Sequence, residues 1–432
     1  MNICELKNLV TSGKLDARFA SCGVTGDAVT AYRERIISAA DSFAELYDTD
    51  CTRDVALLSV GGRTEVSGNH TDHNRGKVIA GAINLDIIAI AAKSDSGTVR
   101  VKSAGFPEDV VPRSAADAPD QAKFFTSSAI IAGMEHAFTE HGCQVGGFDA
   151  YTTSAVLKGS GMSSSAAFEV MIGNILNSLY NGGSVSNVEI AKMAQYAENV
   201  YFGKPSGLMD QMACAVGGLI TIDFADPASP IIEKLDFDLT SAGYALCIVD
   251  TGGSHADLNE DYASVPAEMK SVAALFGKSY LRETTADEII ANAALIREKC
   301  GDRALLRALH FHGENDRVDN QVASLKDGDV SGFLSGVTAS GNSSYKFLQN
   351  VYTTKNVKEQ GLSVALCLTE KYLSGVAGQS ACRVHGGGFA GTVQVFLPAD
   401  EAGGYKRYIE SVFGGGACYI LLIRQAGAVR LA

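Results

Sequence analysis

The sequence predicts a mixed α/β protein built from two domains in tandem. The chain has 432 residues, more than one hydrophobic core ordinarily supports. Hydrophobic residues make up 46% and charged residues 20%, the balance of a globular protein. Apolar, β-branched runs alternate with segments of helical periodicity, and no internal repeat interrupts them. We therefore expect a binding cleft between the two domains.

Charge and cysteine usage argue against several classes of function. The net charge is −13 and there is no run of basic residues, so a nucleic-acid or acidic-membrane partner is not expected. The ten cysteines are scattered without a CxxC pair, which disfavours a disulfide framework or a zinc site. No signal-like segment and no apolar run of about 18 residues occurs. We expect a cytoplasmic location.

The first half of the chain begins with a segment that carries no chemical motif and continues with strands. Residues 1–50, helical from Ala28 to Leu46, are interpreted as an N-terminal extension. Apolar or alternating patterns predict strands at 55–60, 77–92, 98–103 and 151–156, the second long enough for two strands. Helical periodicity follows at 166–180, and a capping box at Ser186 to Glu189 opens a further helix.

A turn-rich stretch marks the change of domain. It lies between the apolar strands predicted at 219–224 and 244–251, so we divide the chain between about residues 225 and 240. The predicted domains are 51–235 and 236–432. The second domain alternates helical stretches with strands at 392–397 and 418–423, and the turn HGGGFAG precedes the first of these.

A Gly- and Ser-rich loop, LKGSGMSSSAA at 157–167, joins a predicted strand to a predicted helix. Such a loop suits phosphate, because glycines let backbone N–H groups approach closely and the helix N-terminus adds a positive dipole end. It lacks the Lys of the Walker A pattern. The alternative is a flexible turn with a serine cap.

Two further segments are rich in polar side chains. GRTEVSGNHTDHNRG at 62–76 offers the many donors and acceptors that a polyol needs, although a solvated hairpin loop would have a similar composition. The segment 196–218 carries Glu198 beside an apolar helix face and Asp210 after a Gly-Leu-Met turn. A carboxylate among apolar residues is costly unless it has a partner, so a metal ligand and a base are indicated, with a helix cap as the alternative for Asp210.

These segments resemble, in the same order, the motifs of the GHMP small-molecule kinases. GSGMSSSAA resembles the ATP loop of that family, GLMDQ its catalytic segment and GGGFAG its third motif. The opening segment is similar to the galactokinase pattern GRxNxxGEHTDYNGG, and the resemblance runs from about residue 55 to the end. The matching residues are Gly62, Arg63, Gly68, His70, Thr71, Asp72, Asn74 and Gly76.

The resemblance implies a two-domain α+β fold, with an N-terminal domain like ribosomal protein S5 and a ferredoxin-like C-terminal domain. It implies transfer of the γ-phosphoryl group of ATP to the C1 hydroxyl of galactose, with Mg²⁺, by a monomer or weak homodimer. Asp210 matches the catalytic Asp of the family, and Arg63 matches the Arg that pairs with it. Glu198 and Ser165, or its neighbour Ser164, would hold Mg²⁺.

Two larger sets of residues also follow from the resemblance. The ATP phosphates would be bound by Gly159, Ser160, Gly161, Met162, Ser163, Ser164 and Ser165. The sugar would be bound by Asn69, His70, Asp72, Gly207 and Tyr262, with Gly386, Gly387 and Gly388 lining the cleft from the second domain.

The sequence departs from the family patterns at Asn69 (Glu in the family), His73 (Tyr), Arg75 (Gly) and Leu157 (Pro). Without the carboxylate at position 69, the pocket is expected to tolerate an acidic or altered C6 better. Kinases for galacturonate, N-acetylgalactosamine or a pentose therefore stay open as alternatives. A non-catalytic, galactokinase-like sugar sensor is a further alternative, although the intact SSSAA stretch at 163–167 favours an enzyme.

Overall fold

The fold is taken from a computed structural model that describes residues 1–156, 161–204, 206–253 and 258–432. Within these residues the strands form two sheets, and helices cover them. No helix in this part of the chain combines the length and apolar character needed to cross a bilayer.

The elements are numbered in chain order. The strands are β1 (Val55–Ser67), β2 (Lys77–Lys93), β3 (Thr98–Ser103), β4 (Glu108–Pro112), β5 (Phe148–Ser154), β6 (Leu219–Asp223), β7 (Ile231–Leu235), β8 (Tyr244–Asp250), β9 (Ala381–His385), β10 (Thr392–Pro398), β11 (Cys418–Leu421) and β12 (Val429–Arg430). The α-helices are α1 (Ile3–Thr11), α2 (Asp16–Ser21), α3 (Ala28–Tyr47), α4 (Ser127–Glu140), α5 (Ser164–Tyr180), α6 (Asn187–Tyr196), α7 (Met209–Val216), α8 (Asn259–Leu275), α9 (Ala286–Ala291), α10 (Ala293–Cys300), α11 (Asp302–Lys326), α12 (Val330–Ser343), α13 (Gly361–Leu373) and α14 (Ala402–Phe413). Two π-helices span Ala197–Phe202 and Ser344–Leu348, and short 3-10 helices lie at Asp72–Asn74, Arg113–Ala116, Gln121–Lys123 and Leu281–Glu283.

The first sheet runs in the order β12-β1-β2-β5-β3-β4, and β6 and β7 extend it beside the start of β2. β2 is one strand of 17 residues where the sequence allowed two. β2 has neighbours on both sides along most of its length. On one side it pairs with β1, and on the other side its first half pairs with β6 and its second half with β5. Helices α5 and α7 pack against β1 and β2, and α5 is the helix that the periodicity at 166–180 predicts.

The predicted start of α6 is confirmed in its details. The Ser186 hydroxyl accepts from the Glu189 N–H at 3.2 Å, and the Glu189 carboxylate accepts from the Ser186 N–H at 3.1 Å. This is the reciprocal capping box that the SNVE sequence indicates. The helix passes directly into the first π-helix, which carries Glu198.

The N-terminal segment covers the outer face of the first sheet. Leu6, Phe19 and Phe43 from α1, α2 and α3 are fully buried and belong to one apolar cluster with Leu57 and Ile90. The helix predicted from Ala28 is α3. Residues 1–47 are thus part of the core, because they bury the β-branched side chains on the sheet face opposite α5 and α7.

The second sheet runs in the order β11-β8-β10-β9 and is antiparallel throughout. The strands predicted from TVQVFL and CYILLI are β10 and β11, and α13 and α14 pack on this sheet. After β11 the chain returns to the first sheet, where β12 pairs with Leu58 and Ser59 of β1. The division at residue 235 stays a prediction, and the strands themselves change sheet between β7 and β8.

The two sheets meet at the polar end of β1. Arg383 on β9 donates to the Glu65 carboxylate at 2.8 Å and to the Val66 carbonyl at 2.7 Å. Gln394 on β10 donates to the Thr64 hydroxyl at 2.7 Å. These contacts hold the second half of the chain against the strand that carries Arg63.

Candidate active site

Arg63 and Asp210 form a two-point ion pair at the junction of β1 and α7. The guanidinium Nε lies 2.6 Å from Asp210 Oδ1 and Nη2 lies 3.0 Å from Oδ2. Arg63 is buried, whereas a third of the Asp210 side chain is exposed. Burial raises the pKa of Asp210, but the charge and hydrogen bonds of Arg63 outweigh it, and the pKa is held below its ordinary value. The carboxylate is therefore charged and open to a ligand from one side.

The serine-rich loop lies against this pair. The Arg63 N–H donates to the Met162 carbonyl at 3.1 Å, and Arg63 Nη1 donates to the Gly161 carbonyl. Ser163 has a left-handed backbone, with φ of 55°, and its hydroxyl donates to Asp210 Oδ2. Because α5 begins at the next residue, the positive end of this helix lies beside the ion pair.

The remaining residues of the predicted ATP loop have simpler surroundings. Ser164 begins α5 and is half-buried, and Ser165 in the same turn is exposed. Gly159 and Ser160 lie outside the described residues. The structure thus brings Gly161, Met162 and Ser163 to the Arg63–Asp210 pair, while phosphate binding by the loop stays a prediction.

Glu198 is a buried carboxylate on the π-helix Ala197–Phe202. Its Oε1 pairs with the Lys204 ammonium at 2.8 Å. Its Oε2 accepts from Gln211 Nε2 at 2.8 Å and from the Ser206 hydroxyl. Gln211 follows Asp210 in α7, so the two predicted carboxylates are linked by neighbouring residues of one helix.

A second buried carboxylate, Glu169 on α5, lies behind Glu198 and was missed by the sequence analysis. Gln211 Nε2 donates to Glu169 Oε2 at 2.9 Å as well as to Glu198. Burial, and then the charge of Glu198, raise the pKa of Glu169 well above its ordinary value. The available signal was a lone Glu within the apolar run AAFEVMIGNIL, where a charged residue is costly.

This cluster fits a hard cation, which prefers oxygen ligands. Glu169 Oε1 and Gln211 Oε1 are buried and have no hydrogen-bond partner among the described residues. Mg²⁺ is commonly held by one or two carboxylates together with substrate phosphates, and Glu198 supplies one. Glu198 and Ser165 would be the residues that hold it.

Asp72 and His70 of the HTD motif lie against glycines of two different segments. A Cβ added to Gly207 would lie 2.2 Å from Asp72 Oδ2, so a larger residue there would displace the Asp72 side chain. His70 has φ of 58°, and its Nε2 lies 2.8 Å from the Gly387 carbonyl. Burial and the neighbouring His73 lower the pKa of His70 to about 4, so the ring is neutral at physiological pH. Asp72 therefore lies beside the Gly-Leu-Met turn that leads to Asp210.

Asn69 is fully buried and its amide is occupied by the protein. Nδ2 donates to Glu65 Oε1 at 2.9 Å and to the Gly386 carbonyl at 2.8 Å. Oδ1 accepts from Asn350 at 2.7 Å and from Ser344 at 3.2 Å. A contact of Asn69 with a sugar, as expected from the sequence, would require one of these bonds to be exchanged.

Glu65 explains this environment. In the pattern GRxNxxGEHTD the fourth residue is Asn and the eighth is Glu, whereas this chain has Glu65 and Asn69. The two residue types have exchanged places, and the pair still forms a hydrogen bond. From the sequence, Asn69 was interpreted as a lost charge, and the compensating Glu65 in the same motif was missed.

The turn HGGGFAG of the second domain closes the cleft. Tyr262 on α8 donates to the Gly388 carbonyl at 2.7 Å, and a Cβ on Gly387 would lie 2.8 Å from its ring. Phe389 packs edge-on against Tyr262 with ring centroids 5.3 Å apart. The structure thus places Tyr262 against the glycines of the third motif, and sugar binding by Tyr262 stays a prediction.

Arg75 lies away from this cleft. Its guanidinium stacks on the Tyr280 ring at 4.1 Å, which ties the HTD segment to the second domain. His73 is exposed, with Nε2 3.7 Å from Asp72 Oδ1. The Arg75 guanidinium is therefore held by the aromatic ring of Tyr280.

The sequence is similar to those of several known proteins. Residues 128–218 match the family described as GHMP kinases N terminal domain, and residues 41–93 match the galactokinase galactose-binding signature. A galactokinase of Streptomyces coelicolor is 32% identical over 401 residues, which cover 90% of this chain and 97% of that protein. A galactokinase of Lactobacillus helveticus is 29% identical, over 83% of this chain and 89% of that protein.

Solved structures show the same fold. The Lactococcus lactis galactokinase, complexed with galactose, superposes with a TM-score of 0.76 at 23% identity and covers 91% of this chain and 100% of its own. A mevalonate kinase of L. major, in complex with R-mevalonate, has a TM-score of 0.58 at 14% identity, with 86% and 97% of the two chains covered. The two-domain GHMP fold expected from the motifs is thereby confirmed.

Proposed function

The chain belongs to the galactokinase family of GHMP kinases, and from this membership we propose that it transfers the γ-phosphoryl group of ATP to the C1 hydroxyl of galactose. The products are galactose 1-phosphate and ADP. The observation that carries the proposal is the Arg63–Asp210 pair, which puts a charged, partly exposed carboxylate beside a guanidinium in the cleft.

Asp210 would accept a hydrogen bond from the C1 hydroxyl and orient its oxygen towards the γ-phosphorus. Its lowered pKa makes it a weak base, so orientation is its main contribution, and the proton passes to it as the new O–P bond forms. Arg63 fixes the carboxylate by two bonds and adds positive charge where the transferred phosphoryl group carries negative charge.

The phosphates would lie along residues 159–165 and the first turn of α5. Backbone N–H groups and the helix dipole attract anions there. Mg²⁺ held by Glu198 and Ser165 would neutralise charge on the β- and γ-phosphates. The packing of Gly161 and Ser163 against the ion pair supports this, because it joins the phosphate loop to the group that orients the acceptor.

The sugar would lie against Asp72, Gly207 and Asp210, with His70 and Tyr262 closing the site. The neutral His70 and the carboxylate of Asp72 are suited to hydroxyl groups, which both donate and accept. We propose that Asn69 acts on the sugar's far end together with Glu65.

The Glu65–Asn69 exchange also favours a second candidate, an anomeric kinase for a related sugar such as galacturonate, N-acetylgalactosamine or a pentose. The position that carries a carboxylate in the galactokinase pattern is neutral here. We further propose a cytoplasmic enzyme, monomeric or weakly dimeric, whose ten cysteines are free thiols.

A panel of these sugars with MgATP tests the proposal, with ADP release and the ³¹P spectrum of the product as the two measurements. Galactose should give a sugar 1-phosphate with the highest kcat/KM. Higher kcat/KM for galacturonate, N-acetylgalactosamine or a pentose would replace galactose with that sugar. Binding of sugar and ATP without ADP release would contradict the enzyme assignment and favour a sensor.

A further inference from the structure

Lys204 folds back over the carboxylate that is expected to hold the metal. It follows the π-helix and the left-handed Gly203, and its own N–H donates to the Glu198 carbonyl at 3.1 Å. Its ammonium lies 2.8 Å from Glu198 Oε1. The Glu198 side chain is 3% exposed and the Lys204 side chain 53% exposed, so the lysine approaches the buried acid from the solvent side.

The hydrogen bonds of Glu198 divide unequally between its two oxygens. Oε2 accepts from two neutral groups, Gln211 and Ser206. Oε1 has the cationic partner, Lys204. The negative charge of Glu198 is therefore already balanced by Lys204 before a metal ion binds.

The lysine also lies in the field of other acidic groups. Glu198 is its ion-pair partner at 2.8 Å, and Gln211 joins Glu198 to a second buried acid, Glu169, at 2.9 Å. Burying a carboxylate without a cation costs free energy, so the Lys204–Glu198 ion pair stabilises the site when no metal is bound. The lysine side chain is long and partly exposed, so its ammonium can move from Glu198 into solvent at a small cost in free energy.

We propose that Lys204 is a positioning residue that competes with Mg²⁺ for Glu198 and thereby sets the metal concentration at which the site is loaded. The inference rests on the proposed function, since it takes Glu198 as a metal ligand. Lys204 neutralises Glu198 before loading and is displaced when the cation binds. The enzyme consequently binds the metal more weakly than the same site would with a neutral residue at position 204.

The test measures Mn²⁺ binding directly, by the electron paramagnetic resonance signal of free Mn²⁺, with and without a non-hydrolysable ATP analogue. Lys204→Met removes the charge and keeps the length of the side chain. It should tighten Mn²⁺ binding by about three- to tenfold, the range expected for a partly exposed ion pair. Lys204→Arg should stay close to the wild type. Lys192→Met is the matched control, because Lys192 donates to the Ala228 carbonyl on the outer side of α6.

Unchanged or weaker Mn²⁺ binding in Lys204→Met would overturn the inference, because the lysine would then be indifferent to the metal or would assist it. Lys204→Gln gives a second reading if the methionine variant is unstable. The sugar panel is independent of this measurement. Tighter Mn²⁺ binding in a protein that phosphorylates no sugar would reject the proposed function alone, whereas an active enzyme with unchanged Mn²⁺ binding would reject the inference alone.

Discussion

Asp210 is the residue on which the proposed chemistry depends most directly, since it is the exposed carboxylate of the cleft. Asp210→Asn keeps the shape but removes the charge and the proton acceptor. We expect kcat to fall by about 100-fold or more, the magnitude for loss of a positioned acid–base group, with ATP affinity nearly unchanged. Steady-state kinetics and nucleotide titration check this. Asp400→Asn, an exposed carboxylate on the second domain, is the control. A near-normal kcat in Asp210→Asn would remove it from the reaction.

Arg63 sets the pH range over which Asp210 stays ionised. A lowered pKa means that the carboxylate keeps its charge to a lower pH than an ordinary Asp, so activity should fall only in acid. In Arg63→Gln, the burial that raises the pKa of Asp210 is no longer opposed by the arginine. The acid limb of the plot of kcat/KM against pH should therefore move to higher pH, and the rate should also fall. The exposed pair Arg297–Asp302 offers a control in Arg297→Gln. If the acid limb does not move in Arg63→Gln, the ionisation that limits activity in acid is not that of Asp210.

The pair Glu65 and Asn69 predicts a non-additive result. Asn69→Glu alone places a second carboxylate against Glu65 and the Gly386 carbonyl in a buried site, and should cost about 1–3 kcal/mol of unfolding free energy. Adding Glu65→Asn restores the order of the family pattern and should recover much of that loss. In the double variant we expect the ratio of kcat/KM for galactose over galacturonate to rise about tenfold. Additive losses, or an unchanged sugar ratio, would show that the two positions do not act together.

The residues of the site divide into those that the sequence predicts and those that it does not. Arg63, Asp210 and Glu198 stand in motifs and are found together. Glu169 and Lys204 carry no motif, because their roles come from contacts across α5, the π-helix and α7 that a linear pattern does not contain. Asn69 is in a motif, but its partners Asn350 and Gly386 come from the other end of the chain.

At the scale of elements, the segment 62–76 differs most from its prediction. A strand was predicted only at 55–60, yet β1 continues from Val55 through Arg63 to Ser67 and is buried along its whole length. Polar residues can occupy a buried strand because β9 and β10 supply partners, with Arg383 for Glu65 and Gln394 for Thr64. The sequence indicates polarity, but which element satisfies it depends on tertiary structure.

The N-terminal helices give a prediction at the same scale. Phe19 on α2 is fully buried and packs edge-on against Tyr32, with centroids 5.0 Å apart. Phe19→Ala should lower the unfolding free energy by about 3–5 kcal/mol, as for other buried aromatic truncations, while leaving the kcat of the folded fraction unchanged. Denaturant unfolding and active-site titration measure the two. Leu46→Ala, at a half-exposed position of α3, should cost far less. Equal losses would mean that these helices do not brace the sheet.

At the scale of the whole molecule, Asp86 joins segments from three parts of the chain. This fully buried carboxylate accepts from Tyr32 at 2.6 Å and from Arg35 at 2.7 Å, and lies 3.7 Å from the buried Arg424. Asp86→Asn leaves both arginines without a full counter-charge. It should reduce the unfolding free energy by about 3–5 kcal/mol, measured by denaturant unfolding. A loss no larger than that of Asp400→Asn would show that the cluster is not a structural centre.

The tandem α/β architecture was predictable because long apolar strands and periodic helices are local signals. The return of the last residues to the first sheet was not, since β12 is two residues long and carries no strand pattern of its own. The role of residues 1–47 was missed for a related reason. Their apolar residues resemble those of any amphipathic helix. No local feature of the sequence indicates that helices cover both faces of the first sheet.

The pairing of β12 with β1 has a consequence for how the protein is made. β7 ends at Leu235 and β12 begins at Val429. The edge of β1 that pairs with β12 therefore has no partner strand until about 190 further residues have left the ribosome. At ordinary elongation rates this interval lasts roughly 10 to 40 s. During translation the nascent chain therefore displays an unpaired strand edge and a buried Asp86 that lacks Arg424. Nascent chains of this protein should depend on chaperone protection until synthesis is complete.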